Sequence, residues 1–319
     1  MIAKKTKVPD IVEWLDMDKL HVHAPTEVVL LCGGQVKITA EKPQSIRDAF
    51  LRVTHNPPLN KLTFRQAEET DVYAPDSSYD NWMEFEADLA QVCQLIILFC
   101  ESEGSIAELG TFAGIDEIAR RLLIFLDSKN HLKQSYINHG PIKLVTDAHG
   151  GDRLFVMHLA DLGLDTIDKV ADINLDNLKL MLSDYIVDSI AKHRDPRTFD
   201  GVRAGHRIKL ITGFIQHFGA LLIEELEVIL YALNINLTQR QIARYLDCAI
   251  FVEWVKKERR GQKTFFVPLQ EKDAFEYALS DGSPTINKGA WRAMVRDYWS
   301  KTEPDRFSAL NANPLRVAK

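Results

Sequence analysis

The stretch LIILFCESEGSIAELGTF, residues 95–112, decides the fold. It begins with a continuous apolar run, which is typical of a strand buried on both faces of a parallel sheet. Acids, a Gly-Ser pair and a helical apolar period follow, so the sequence predicts a strand that turns directly into a helix. Glu108 lies three residues after Ser105, at the beginning of that helix.

Similar apolar runs occur on both sides of this stretch and are separated by segments with a helical period. The predicted strands are EVVLLCGG (27–34), CQLIILFC (93–100) and RRLLIFLD (120–127), and the predicted helices are 45–54, 79–92 and 105–119. Alternating strands and helices predict an α/β fold with a Rossmann-like parallel sheet flanked by helices. Ligands bind at the carboxyl ends of the strands in such sheets.

The chain is predicted to divide into four parts. They are an arm with one short helix near residues 11–15 (1–26), an α/β domain that holds the sheet (27–194), a linker (195–206) and a mainly helical domain (207–319). In the last part, Thr238 is typical of a helix N-cap, and the order helix, helix, basic turn and strand predicts a winged helix-turn-helix.

A basic run lies at the predicted end of the second helix and on the turn that follows. We expect nucleic-acid contact from Lys256, Lys257, Arg259, Arg260 and Lys263. These side chains would bind phosphates, which position a protein on nucleic acid without reading its sequence. Two alternatives remain: the charges complement the dipole of their own helix, or the module docks on a protein.

Composition limits the function classes. The 319 residues carry 39 basic and 45 acidic side chains, a net charge of −6, so any nucleic-acid surface must be local. The four cysteines (Cys32, Cys93, Cys100 and Cys248) have no CxxC spacing, so reduced thiols without a metal are expected. The sequence shows neither a secretion signal nor an apolar stretch long enough to span a membrane, so a cytoplasmic location is expected.

Two interpretations of Glu108 remain open. Ser105 and Glu108 have the spacing of a capping box, in which both side chains satisfy backbone amides at a helix start. Alternatively, the carboxylate acts on a substrate. Cleavage of the bond between C1′ of a ribose and a base builds positive charge on the sugar, which a carboxylate stabilises or attacks.

The blocks LCGG (31–34), LIILFCESEGSIAELGTF (95–112) and SYINHGPIKLV (135–145), in this order, resemble the nucleoside deoxyribosyltransferase-like effectors of type II retrons. This resemblance implies that Glu108 acts on an N-glycosidic bond, with NAD or a related nucleotide as substrate and no cofactor. It implies a toxin of antiviral defence held in check by the retron reverse transcriptase and its multicopy single-stranded DNA. A homo-oligomer or filament within that complex is compatible with the sequence.

The substrate contacts expected from this topology and resemblance are Cys32, Gly33, Gly34, Asp76, Tyr79, Glu103, Gly104, Ser105 and Asn138. Asn138 is also interpreted as a loop residue that satisfies its own turn. Two other function classes remain: a catalytically silent nucleotide sensor coupled to a DNA-binding winged helix, and a scaffold subunit of a nucleoprotein particle.

Overall fold

A computed structural model of the chain describes residues 11–69, 77–192, 198–281 and 287–312. The chain forms two units, each discontinuous in sequence. The sheet unit contains residues 27–69 and 93–195, and the helical unit contains residues 1–26, 70–92 and 196–319. The domains expected from the sequence were consecutive stretches of the chain, whereas each unit combines separate segments. The assignment of one function to residues 27–194 and another to residues 207–319 therefore stays a proposal.

The elements are numbered in chain order. The strands of the described residues are β1 (Leu15–Val22), β2 (Val28–Cys32), β3 (Thr63–Arg65), β4 (Leu95–Phe99), β5 (Leu122–Asp127), β6 (Leu154–Met157), β7 (Val255–Arg260), β8 (Lys263–Pro268) and β9 (Phe275–Leu279). The α-helices are α1 (Ile46–Val53), α2 (Trp82–Ala90), α3 (Glu103–Ala113), α4 (Asp116–Ala119), α5 (Ser128–His131), α6 (Lys143–His149), α7 (Leu175–Lys192), α8 (Ala204–Phe218), α9 (Ile223–Ala232), α10 (Gln239–Phe251), α11 (Lys288–Thr302) and α12 (Pro304–Asn311).

The sheet unit is built on five parallel strands in the order β3-β2-β4-β5-β6. The predicted α/β class and its parallel sheet are therefore confirmed. Every residue of β2 and β4 is buried, which explains their uninterrupted apolar sequences. The chain reverses its direction of travel across the sheet between β2 and β4, and such a switch point is where sheets of this kind bind ligands.

One face of this sheet packs against α1 and α7. Phe50, Phe99, Leu178 and Leu182 belong to the same core cluster. Phe99 stacks on Phe125 at 4.9 Å between ring centroids. The carboxyl ends of β4 and β5 are therefore held together by aromatic packing, which fixes the loops that follow them.

The helical unit contains the order expected for a winged helix. α8, α9 and α10 are followed by the antiparallel hairpin of β7 and β8, which we call the wing, and Leu221 bridges to Phe266 of that hairpin. The Thr238 side chain accepts a hydrogen bond from the Gln241 amide, which confirms the predicted N-cap of α10.

Four local predictions are wrong. Residues 15–22, expected in an irregular arm, form β1 and pair with β9. The helix expected over 105–119 begins at Glu103 and breaks at Gly114. α8 begins at Ala204, inside the expected linker. The basic run lies on a strand and not at the end of a second helix.

Candidate active site at the carboxyl end of β4

Glu101, which the sequence analysis did not select, lies at the switch point and accepts three backbone hydrogen bonds. Its Oε1 accepts from the Gly34 amide at 3.0 Å and from the Arg47 amide at 2.9 Å. Its Oε2 accepts from the Ile46 amide at 2.6 Å. Ile46 and Arg47 are the first residues of α1, where backbone amides have no partner within the helix. Glu101 therefore fills a position that suits an anion.

Burial and hydrogen bonding act on the Glu101 carboxyl in opposite directions. Burial raises its pKa, whereas the amides of Arg47, Ile46 and Gly34 and the Arg47 guanidinium lower it, and the net pKa is above its usual range. The three amides belong to buried residues. Glu101 thus ties β4 to the beginning of α1 and to the loop after β2.

Glycine is needed at positions 33 and 34 because Glu101 and α1 lie very close to the loop after β2. Gly33 has a φ of +151°, and a Cβ there would lie 3.0 Å from the Cβ atoms of Arg47 and Phe99. A Cβ on Gly34 would lie 2.7 Å from the Ser45 Cβ and 3.0 Å from the Glu101 Cδ. The two glycines, expected to line a nucleotide pocket, make room for the carboxylate of Glu101.

The capping box of α3 is formed by Ser102 and Ser105. The Ser102 side chain accepts from the Ser105 amide, and the Ser105 hydroxyl accepts from the Ser102 amide. Ser105 is fully buried, and its hydroxyl also donates to the Ser102 carbonyl at 2.8 Å. Capping by Ser105 with Glu108, one of the two interpretations above, is therefore wrong.

Glu108 lies in the second turn of α3 and is half-buried. Its charge acts on Cys100, the residue directly after β4. Burial raises the pKa of the Cys100 thiol to about 12, and the charges of Glu108 and then Glu101 add to this effect. A thiol with so high a pKa stays protonated at neutral pH, so Cys100 is not activated as a nucleophile. Glu101, Glu103 and Glu108 are the carboxylates at this corner, and Glu101 and Glu108 are both partly exposed.

A cavity of about 360 Å³ opens beside the carboxyl ends of β2 and β3. It is lined by Gln35, Val36, Arg47, Gln66, Glu68 and Glu69. The Arg47 guanidinium donates to the Gly34 carbonyl and to both oxygens of Glu68. The cavity thus adjoins the glycine loop.

The other residues expected to contact substrate differ in their exposure to solvent. Cys32 is buried at the end of β2, and Glu103 and Gly104 are exposed in the first turn of α3. The Asn138 Nδ2 donates to the carbonyls of Asn130, His131 and Lys133, so Asn138 ties the start of the helical turn 138–142 to the segment that precedes it.

Tyr79 belongs to the helical unit. Its hydroxyl lies 3.0 Å from the Asp88 Oδ2, 3.0 Å from the Arg244 carbonyl and 3.1 Å from the Cys248 Sγ. Burial, with the nearby charges, raises the pKa of Tyr79 far above its usual range. These are the contacts of a packing residue. Asp76 lies outside the described residues.

Four basic residues of the wing are divided between the two faces of β7, and Lys263 lies at the start of β8. Lys256 donates to the Ala312 carbonyl and pairs with Glu258, and Arg260 pairs with Glu258 as well. The three exposed side chains have longer contacts. Lys257 lies 3.2 Å from Asp247, and Arg259 donates to the Gly261 carbonyl at 3.3 Å. Lys263 lies 3.9 Å from Glu303.

Residues 43–257, about two thirds of the chain, match the family model described as STM3845 retron effector protein. The chain belongs to this family of retron effectors. The expected resemblance to retron effectors is therefore confirmed.

Two curated relatives from Escherichia coli are similar to this effector over a shorter segment. The candidate ribosyltransferase/DNA-binding protein of retron Ec86 is 34% identical over 126 residues, 37% of this chain and 36% of the relative. The corresponding protein of retron Ec73 is 31% identical over 111 residues, 35% of this chain and 34% of the relative. The matches thus span about a third of each relative's length.

The described residues of this effector contain neither a metal-binding cluster nor a membrane-spanning helix. No three or more His, Cys, Asp or Glu side chains in these parts of the chain are grouped so that they could hold a metal ion. Within the same ranges, no helix is both long and apolar enough to cross a membrane.

Proposed function

We propose that this effector cleaves the N-glycosidic bond of a nucleotide, with NAD as the substrate and Glu108 as the catalytic carboxylate. The observation that carries the proposal is the position of Glu108. It lies beside the carboxyl end of β4, next to the switch point of the sheet, and Ser102 and Ser105 supply the cap that it would otherwise provide. Relatives named as ribosyltransferases support a glycosyl-transfer reaction.

The chemistry follows from one carboxylate and a ribosyl group. As the bond from C1′ to the base nitrogen breaks, the electron pair leaves with the base and positive charge grows on the sugar ring. The Glu108 carboxylate stabilises this charge or bonds to C1′. Water then supplies the new C1′ oxygen in a hydrolase, whereas a second base or a nucleic acid takes the ribosyl group in a transferase.

The neighbouring residues hold the geometry. Glu101 and Ser105 fix the two ends of the loop between β4 and α3, because the Ser105 hydroxyl also accepts from the Glu101 amide at 3.1 Å. We assign substrate contact to Gly33 in the loop after β2, to Glu103 and Gly104 in the exposed first turn of α3, and to Asn138. Three buried residues are proposed to support these contacts from within the fold: Cys32, Gly34 and Ser105.

We propose further that the effector is a toxin controlled by the retron reverse transcriptase and its multicopy single-stranded DNA. Family membership and the DNA-binding names of the two relatives support this partnership. On this chain, the exposed wing residues Lys257, Arg259 and Lys263 are the proposed phosphate contacts. Lys256 and Arg260 would order the wing through their contacts with Glu258, Ala312 and Ser308.

A second candidate function is a nucleotide sensor without catalysis. The cavity beside β2 and β3 favours it, because Glu108 does not belong to the lining of that cavity. A sensor would keep its function when Glu108 is replaced, whereas an enzyme would lose turnover and still bind its substrate.

Mass spectrometry of the nucleotide pool tests the proposal in cells that express the effector without its retron partners. We expect NAD to fall and nicotinamide to rise with the wild-type protein and with the control Asp184→Asn, which removes an exposed carboxylate from α7 of the same unit. Glu108→Gln should leave the pool unchanged. If Glu108→Gln depletes NAD as fast as the wild-type protein, Glu108 is not the catalytic residue. Depletion of another nucleotide would correct the substrate.

A further inference from the structure

The N-terminal half of α10 is the part of the winged helix that faces nucleic acid in proteins that read DNA. In helix-turn-helix modules, the second helix enters the major groove, and residues near its N-terminus contact base edges. In this chain α9 and α10 are those two helices, and Arg240 and Arg244 lie one turn apart near the beginning of α10. Arginines at these positions suit phosphates or guanine.

Both arginines are already paired with carboxylates of the same unit. Arg240 forms an ion pair with Asp80. The Arg244 Nη2 lies 2.7 Å from the Asp80 Oδ2 and 2.8 Å from the Glu84 Oε2. Asp80 precedes α2 and Glu84 lies in its first turn, so the acids approach α10 from one short segment, residues 77–90.

Further contacts align this segment with α10. The Ser78 amide donates to the Asp247 Oδ2 at 3.1 Å, and the Arg244 Nε donates to the Ser78 carbonyl at 3.1 Å. The Arg244 guanidinium also lies over the Tyr79 ring, 5.5 Å from its centroid. Segment 77–90 therefore covers two successive turns of α10.

The apolar side of the same segment is packed in the helical unit. Phe85 is buried and meets Phe251 of α10 edge to face, with 5.4 Å between the ring centroids. The end of α2 packs equally closely on α8, because a Cβ on Gly205 would lie 2.3 Å from the Gln91 carbonyl oxygen. The contacts of Asp80 and Glu84 are thus the exposed rim of a buried packing surface.

We propose that α10 carries an anion-binding surface, formed by Arg240 and Arg244, on which Asp80 and Glu84 stand in the place of nucleic-acid phosphates. Nucleic acid reaches this surface only in competition with the two carboxylates, so in this form of the effector it binds through the wing. The inference rests on the proposed nucleic-acid contact and adds to it which of the two surfaces is open and which is covered.

The charges of the two surfaces support this difference. Arg240 and Arg244 share the carboxylates of Asp80 and Glu84, so this part of α10 carries little net charge. On the wing, by contrast, Arg259 is exposed and its hydrogen bond is to a neutral carbonyl. A phosphate can therefore approach Arg259 without displacing a carboxylate from it.

Fluorescence anisotropy with a labelled DNA duplex, over a series of potassium chloride concentrations, tests the proposal on the full chain. The test variant is Asp80→Asn/Glu84→Gln, which removes the charges and keeps the shapes. We expect tighter binding and a steeper dependence of log Kd on log salt, by about two units, because each added phosphate contact contributes ~0.9. Adding Arg240→Ala/Arg244→Ala should abolish this gain.

A matched control separates the local effect from the change in net charge. Asp165→Asn/Asp297→Asn also removes two carboxylates, each from an exposed pair with a lysine four residues later. Equal tightening by this control would overturn the proposal, as would a gain that survives the loss of Arg240 and Arg244. A thermal unfolding curve for each variant shows whether the helical unit stays folded.

The wing is tested separately, so that the two claims can fail independently. Arg259→Ala/Lys263→Ala should weaken binding of the otherwise unchanged protein and lower its salt dependence. If it does not, the proposed wing contact is wrong, while the gain in Asp80→Asn/Glu84→Gln still supports the covered surface on α10. If no variant binds DNA even at low salt, both the nucleic-acid proposal and this inference are wrong.

Discussion

In the sheet unit Glu101 accepts hydrogen bonds from three backbone amides, whereas in the helical unit Asp80 and Glu84 pair with two arginines. Both arrangements place protein carboxylates where an anion could bind. They differ in their exposure to water: the Glu101 carboxylate meets amides of buried residues, but the side chains of Asp80 and Glu84 are 55% and 45% exposed.

This difference separates a structural carboxylate from one that can be exchanged. A desolvated carboxylate is tolerated only where hydrogen bonds offset the loss of hydration, and its removal leaves buried amides without partners. An exposed ion pair contributes little to stability and is screened by salt. We therefore expect Glu101 to stabilise the fold, and Asp80 and Glu84 to control which anions reach α10.

The largest effect on stability is expected at Glu101. Glu101→Leu removes the acceptor of three buried amides and should lower the free energy of unfolding by about 3 kcal/mol or more. Glu101→Gln keeps one acceptor oxygen and should lose less. Urea denaturation measures both variants. If the leucine variant is as stable as the wild-type protein, Glu101 does not stabilise the fold more than Asp80 and Glu84 do.

The glycine loop tests the same contact from its other side. A Cβ on Gly34 would meet Ser45 and Glu101, so Gly34→Ala should lower the free energy of unfolding by about 2 kcal/mol through overpacking. Gly110→Ala in α3 is the control, because a Cβ there meets nothing within 4 Å. Its expected effect is neutral or stabilising. Equal losses in the two variants would contradict the close contact.

The pH dependence of stability extends the comparison to a buried histidine, His217. Burial, together with the charges of Arg292 and Lys288 and against the opposing charge of Asp273, lowers the pKa of His217 to about 3. The folded protein keeps the ring neutral, while the unfolded chain binds a proton below its usual pKa of about 6.5. Stability is therefore unaffected above that pH and is lost as the pH falls from 6.5 toward 3.

At pH 5 this loss amounts to roughly 2 kcal/mol relative to pH 7. The measurement is the free energy of unfolding at both pH values for the wild-type protein, for His217→Gln and for the control His139→Gln, which changes an exposed histidine. His217→Gln should show a smaller loss between pH 7 and pH 5 than the other two proteins. A loss of the same size in all three would show that His217 does not carry this pH dependence.

The smallest effect on stability is expected for the exposed carboxylates. Asp80→Asn should change the free energy of unfolding by less than about 1 kcal/mol, and the change should shrink as salt is added. A loss as large as that of Glu101→Leu would show that Asp80 is structural, and competition with nucleic acid would then be excluded.

Three of the five strands of the sheet, β2, β4 and β5, were predicted from the sequence, whereas β3 and β6 were not. The apolar runs that became β2, β4 and β5 are short, continuous and bounded by glycine or acid. By contrast, β1 pairs with β9, more than 250 residues later in the chain, and its register shifts between Asp16 and His21. Because of this shift, buried and exposed residues do not alternate regularly along β1. Its partner strand cannot be found from the local sequence pattern.

The wing and the candidate site also depend on contacts between residues that are distant in the sequence. VKKERR is basic at four of six positions, so it offers no apolar alternation, and its strand structure comes from pairing with β8. At the site, the spacing of Ser105 and Glu108 suggested a cap, although the cap of α3 is formed by Ser102 and Ser105. Glu101 was missed because its partners, the amides of Gly34, Ile46 and Arg47, are brought to it only by the fold.

The central claim, that Glu108 is catalytic and Glu101 structural, is tested most directly by pairing turnover with stability. Release of nicotinamide from NAD and urea unfolding are measured for the purified wild-type protein, Glu108→Gln and Glu101→Gln. We predict that Glu108→Gln loses about 10²–10⁴-fold in kcat at unchanged stability, whereas Glu101→Gln loses stability. Full turnover by a stably folded Glu108→Gln variant would contradict the claim.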